Sequence, residues 1–103
     1  MPAALRRLPP AVADIVAAER YDEQQPGLGD DFVEEVNGVV VALALNPLGH
    51  SIRFADVRCA RLGRFKPYGI YYYLWRDEVM IFAVFHASRH PGWLKSRRHR
   101  SEV

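Results

Sequence analysis

The stretch YGIYYYLWRDEVMIFAVF, residues 68–85, decides the fold. It is rich in Tyr, Ile, Val, Phe and Trp, and its one polar break is Arg76-Asp77-Glu78. Such a composition favours a pleated, half-buried strand, and a short polar break between two such runs makes a hairpin. Strands are therefore predicted over 68–75 and 79–85. Val57–Leu62, VRCARL, supplies a third, and short connections make the three antiparallel neighbours. Along 68–75, Ile70, Tyr72 and Leu74 point one way, while Tyr71, Tyr73 and Trp75 point the other. Both faces are apolar, so both need cover. A residue of exposed aromatic surface would mark a partner site.

The cover for one face lies upstream. Residues 11–25 are alanine-rich and lack glycine, with Val12, Ile15 and Val16 at helical spacing. Pro9 and Pro10 suit a helix start. Pro26-Gly27-Leu28-Gly29 reads as a turn. Asp30 and Asp31 then stand where a helix N-terminus favours negative charge. Phe32, Val36, Val40 and Leu43 recur at spacings of three and four, predicting a helix over 29–46 that stops before Pro47. The two helices form an antiparallel hairpin. Ala4–Leu8 reads as a short first strand, residues 46–56 as irregular, and the segment after Pro91 as a short helix or a basic tail. The predicted class is α+β, an N-terminal helix hairpin on one face of a small antiparallel sheet. The predicted core is Val12, Ile15, Val16, Phe32, Val36, Val40, Leu43, Ile70, Leu74 and Ile81.

A chain of 103 residues and 11.8 kDa holds one domain, expected over 1–103 with an ordered core near 4–98 and a basic tail over 99–103. That length excludes a Rossmann domain, a TIM barrel or a kinase. One cysteine, Cys59, cannot form an internal disulfide, which points to a reducing cytoplasm. No apolar run is long enough to span a bilayer, and Pro9, Pro10 and Asp14 spoil any signal peptide.

Charge is split along the chain. Residues 1–50 hold 3 basic and 8 acidic residues; residues 51–103 hold 11 basic and 4 acidic. Of the basic residues 12 are arginine, the side chain that forks onto phosphate or carboxylate. An arginine-rich half suits an acidic or polyanionic partner, and a GC-rich genome would produce the same bias. Arg58, Arg61, Arg64, Arg89, Lys95, Arg97, Arg98 and Arg100, with Tyr71, Tyr73, Trp75 and Trp93, combine cations with stacking surface, the ingredients of single-stranded RNA binding; on composition alone a solvated basic face with a frayed tail is the simpler reading. On a regular strand Arg58 and Arg64 share one face and Arg61 takes the other. His86 and His90 stand four apart, but Pro91 follows at once and no third ligand is evident, so no metal and no cofactor are expected. Cys59 is most simply a buried strand residue.

Several segments together carry a resemblance. Tyr21, then Pro26-Gly27-Leu28-Gly29-Asp30-Asp31-Phe32, with Asn46-Pro47, resembles the helix-hairpin signature of the RelE/ParE superfamily of bacterial toxins. Val57-Arg58, then Leu62 and Arg64-Phe65-Lys66-Pro67-Tyr68-Gly69-Ile70-Tyr71-Tyr72, resembles its central strands, with Lys66 an insertion relative to that pattern. Val79–Phe85, then His86-Ala87-Ser88-Arg89-His90-Pro91 with Trp93 and Arg97, resembles its C-terminal segment.

The resemblance implies the toxin half of a type II toxin–antitoxin pair, bound by a small cognate antitoxin in a hetero-oligomer. Two activities occur in the superfamily. ParE-like members inhibit DNA gyrase, and RelE-like members cut mRNA on the ribosome with basic residues and often a C-terminal tyrosine. No tyrosine follows Tyr73 and lysine is scarce near the strands, which is similar to the ParE branch. The expected target contacts are Arg58, Arg64, Arg89, Trp93 and Arg97. For the RelE-like alternative, a metal-independent nuclease, the candidates are Arg61, His86 and Arg89. A degenerate member that only binds antitoxin is the third reading.

Overall fold

The computed structural model describes residues 3–22, 27–87 and 89–101. The chain runs β1 (Ala4–Arg7), α1 (Pro9–Asp22), α2 (Leu28–Leu45), β2 (Ile52–Phe54), β3 (Val57–Arg61), β4 (Tyr68–Trp75), β5 (Glu78–His86) and α3 (Pro91–Ser101). The expected end of the first helix and Pro26 of the expected turn lie outside the described residues. Tyr21 lies within α1, with its side chain undescribed. Gly27, at φ 85°, takes the left-handed conformation just before α2, and its carbonyl accepts the Asp31 N–H at 3.1 Å.

The predicted strands form the antiparallel run β3, β4 and β5. Arg76 and Asp77, both at positive φ, make the tight turn between β4 and β5, a two-residue turn whose twist matches the strands. Two strands extend this run. β1 pairs parallel to β5, and β2, within the stretch expected to be irregular, pairs antiparallel to β3. The sheet is thus five-stranded and mixed, in the order β1-β5-β4-β3-β2. A three-residue strand on an edge is too short to show periodicity, which is why the sequence hides it.

The helix hairpin covers one face, as expected. Phe32, Val36, Val40 and Leu43 of α2 bury against Ala60, Leu62, Ile70, Tyr72, Val79, Ile81 and Val84. The phase of α1 differs from expectation. Val12 and Val16 are 44% and 42% exposed, Ala11 and Ala18 are buried instead, and Ile15 packs at the margin. Leu74 is likewise marginal.

β5 carries a bulge. Tyr71 pairs with Ala83 and Tyr72 with Ile81, so Phe82 has no counterpart on β4. Phe82 and Ala83 both face away from the hairpin, and the alternation restarts one residue out of step. Val79 and Ile81 before the bulge, and Val84 after it, all reach the hairpin side.

The opposite face holds Val57, Tyr73, Met80, Phe82, Ala83 and Phe85, closed over by Leu94 of α3. The aromatic patch expected to be exposed there is therefore mostly covered. His99 to Ser101 belong to α3 rather than to a loose tail, while the last two residues lie outside the described ones.

Candidate functional site

α3 is a basic helix that buries one apolar side chain, Leu94. Its inward stripe is Leu94, Arg97, Arg98 and Ser101, at i, i+3, i+4 and i+7. Two carboxylates receive the arginines. Arg98 donates to both oxygens of Asp56, at 3.1 and 2.8 Å, and its guanidinium lies 3.6 Å from the centre of the Tyr73 ring. The hydrogen bond from Arg98 holds the Asp56 carboxyl below its usual pKa, and the same bond raises that of Arg98. Arg97 reaches around the β5 edge to α1 and pairs with Asp14, whose Oδ2 also accepts the Val84 N–H at 2.9 Å. Beyond Ile81, β5 has lost β1 as a neighbour, and Asp14 satisfies an amide that the sheet no longer does. Neither aspartate was singled out by sequence, because each partner lies far along the chain.

The rest of this face is open and cationic. Arg89 stands over Phe85 at 5.8 Å and over Trp93 at 5.6 Å. At helical spacing Trp93 and Arg97 would share a face, with the indole packed on the sheet and steering Arg97; the structure has it otherwise. Trp93 is 62% exposed, Leu94 takes the buried place, and Asp14 steers Arg97. Tyr71 meets Phe85 edge-on at 6.2 Å. Arg61 is exposed, and its guanidinium makes a long contact of 3.5 Å with the Lys66 carbonyl. Burial pushes the Cys59 thiol and the Tyr71 hydroxyl up in pKa, and nearby Arg53 and Arg61 oppose both shifts.

The other sequence-derived candidates sit elsewhere. Arg58, on the hairpin side, donates to the carbonyls of His50 and Leu48, so it staples the loop between α2 and β2. The Tyr72 hydroxyl donates to the Pro47 carbonyl at 2.6 Å and fastens the same loop. Arg64 lies in the β3–β4 loop rather than on a strand, paired with Asp31 at 3.0 Å, while its N–H donates to Glu35 at 2.8 Å. His86 packs edge-on against Tyr68 at 4.9 Å, and Tyr68 in turn rests on Phe32. His86 is therefore on the hairpin side, whereas Arg61 and Arg89 are on the face of α3. The sheet separates the three nuclease candidates. Among the described residues no group of three His, Cys, Asp or Glu is placed to hold a metal.

A second exposed surface is apolar. The outward face of the hairpin presents Val12 and Val16 from α1 and Val41 and Leu45 from α2, with Leu48 just beyond; the last three are each more than 60% exposed. Among the described residues no helix is long and apolar enough to cross a membrane. Exposed aliphatic side chains on both helices of the hairpin are the kind of surface that partners cover.

The comparisons agree with one another. The family described as the ParE toxin of type II toxin–antitoxin systems, parDE, matches residues 5–91. A solved structure described as the chromosomal ParDE TA system from P. aeruginosa has the same fold, with a TM-score of 0.72 at 19% identity. The match covers 82% of this chain and 95% of that one. No curated protein sequence matches.

Proposed function

The chain belongs to the ParE toxin family of type II toxin–antitoxin systems, and from that premise we propose that it arrests growth in the cytoplasm by inhibiting DNA gyrase until a small cognate antitoxin covers it. The observation that carries the choice of target is the division of the nuclease candidates. A metal-independent ribonuclease needs a proton acceptor for the 2′-hydroxyl and cations for the phosphate around one scissile bond. His86 is the titratable base among the three candidates, and the sheet stands between it and Arg61 and Arg89. Arginine does not give up its proton at neutral pH and cannot act as the base. An inhibitor needs no such convergence; it needs a surface.

The target surface in this reading is the corner formed by Arg89 and Trp93, since both are exposed and the guanidinium already lies over the indole. Tryptophan and arginine are the side chains that most often dominate binding energy. Arg58, Arg64 and Arg97 contribute by holding the loop, the β3–β4 connection and α3 in place. The antitoxin seats an apolar segment on Val12, Val16, Val41 and Leu45.

The test is a paired assay of purified toxin on gyrase supercoiling and on ribosome-dependent mRNA cleavage. Inhibition of supercoiling with intact mRNA is the expected result. Cleaved mRNA with unimpaired gyrase would replace this reading by the RelE-like one. No growth arrest on expression without antitoxin would leave an antitoxin-binding protein that poisons nothing.

A further inference from the structure

α3 roofs only part of its face of the sheet. The open part is a strip from β2 across β3 and β4 to the turn after β5. Its cations are Arg53, Arg61 and Arg89, all exposed, and among the described residues none of them is in an ion pair. The contrast is with the inward arginines of α3: Asp14 and Asp56 neutralise Arg97 and Arg98, whereas among the described residues no carboxylate is paired with an arginine of the strip. Between the cations lies π surface. Arg61 stands opposite Gly69, two residues before Tyr71 on β4, and Arg53 adjoins Phe54, the β2 side chain that packs on this face. Tyr71 meets Phe85, Phe85 lies under Arg89, and Arg89 lies over the exposed indole of Trp93. Strands stand about 4.8 Å apart, so β2 to β5 spans roughly 14 Å, with Trp93 beyond it.

A surface of this kind matches an anion that is also aromatic. An acidic peptide would satisfy the arginines and leave Trp93 unused. A duplex presents phosphates but keeps its base faces stacked inside. A single strand offers both phosphates and open base faces, and stacking on an aromatic ring tolerates any base. We propose that this strip binds single-stranded nucleic acid, with Arg53, Arg61 and Arg89 on successive phosphates and a base stacked on Trp93. The contact is binding without cleavage, because His86 faces the other side of the sheet. It goes beyond gyrase inhibition and does not depend on it.

Fluorescence anisotropy of the full chain with short labelled oligothymidylate and oligouridylate tests this, against an oligoglutamate of matched charge. Three phosphate contacts give a slope of log K against log salt of about −2, at about −0.7 per phosphate. Arg89→Gln should reduce that slope to about −1.4. Trp93→Ala should weaken strand binding roughly 5- to 150-fold, the range for loss of one stacked base, with the salt slope kept. Both residues are exposed, and melting curves establish that each variant is folded. Tighter binding of either sugar supports the proposal and names the natural strand. Failure to bind either strand at low salt overturns it. So does oligoglutamate binding as tight as the strands, or strand binding by Trp93→Ala equal to wild type. Strand binding as described in a chain that leaves gyrase untouched would uphold this inference and remove the gyrase reading.

Discussion

Replacing Asp14 by alanine should be the most damaging single change to a charged residue in this protein. Asp14 Oδ2 serves two donors, the Val84 N–H on β5 and the Arg97 guanidinium on α3. Its side chain is 11% exposed and that of Arg97 17%. Alanine leaves the Val84 amide without its acceptor, at a cost of about 1–3 kcal/mol. It also strands a largely buried guanidinium. The full penalty for breaking a buried pair is about 3–5 kcal/mol, and the residual exposure of both partners lowers this one. Together the loss should be about 3 kcal/mol, against a total stability of roughly 5–15 kcal/mol for a domain. The melting temperature should then fall by about 12–24 °C.

Asp14→Asn discriminates the two components. It keeps an acceptor for Val84 and removes the charge, so it should cost about half as much. Urea denaturation of the wild type, Asp14→Ala, Arg97→Leu and the double variant gives the coupling energy. A value of about 1–3 kcal/mol is expected for residues sharing one network. A coupling near zero, or an Asp14→Ala protein that melts like wild type, would show that this junction does not hold α3 to α1.

Three further outcomes follow from particular contacts. The Asp56 carboxyl is held below the usual value of 3.8 by its hydrogen bond from Arg98, so its contribution is present above that pH and lost as pH falls through the folded value; Asp56→Asn should be less stable than wild type at pH 7 and lose that disadvantage in acid, by less than about 1 kcal/mol because the side chain is half exposed, as urea midpoints at pH 7 and pH 3 will show. A Cβ on Gly69 would lie 2.7 Å from the Cys59 sulfur and 3.2 Å from the Tyr71 ring, so Gly69→Ala should cost about 1–3 kcal/mol by overpacking and Cys59→Ala should restore part of the loss, measured by thermal melts of the single and double variants. Leu45 is 64% exposed, so Leu45→Glu should leave the melting temperature within a few degrees while abolishing co-purification with the antitoxin; an intact complex would move the antitoxin seat off the hairpin.

Some of this protein was legible because one face of an element was buried and the other was not. In α2, Phe32, Val36, Val40 and Leu43 are apolar where Asp30, Glu34 and Asn37 are polar, so the pattern names the buried stripe. The three central strands announced themselves by side-chain shape, and the Arg76-Asp77-Glu78 break marked their turn. The family signatures in the hairpin and around residues 62–72 and 86–97 were readable because they are local. Among the candidate site residues, Arg89 and Trp93 could be found for the same reason, standing four apart.

Tertiary structure decided what local pattern left open. α1 is alanine and valine on nearly every side, so periodicity cannot choose between the stripe of Val12 and Val16 and that of Ala11 and Ala18. The rotation was set by Asp14, which must face Val84 and Arg97, partners 70 and 83 residues away. The bulge at Phe82 was invisible because both faces of β5 are apolar, and an extra residue there changes no polarity. Composition gives Arg97 and Arg98 no partner and leaves them on a solvated basic face, yet two distant aspartates draw them onto the fold. The division of His86 from Arg61 and Arg89 likewise depends on which face each strand end presents. Sequence specified the elements wherever polarity differed between their sides; the folded chain settled rotation, register and charge pairing, because those depend on groups that meet only after the chain has closed.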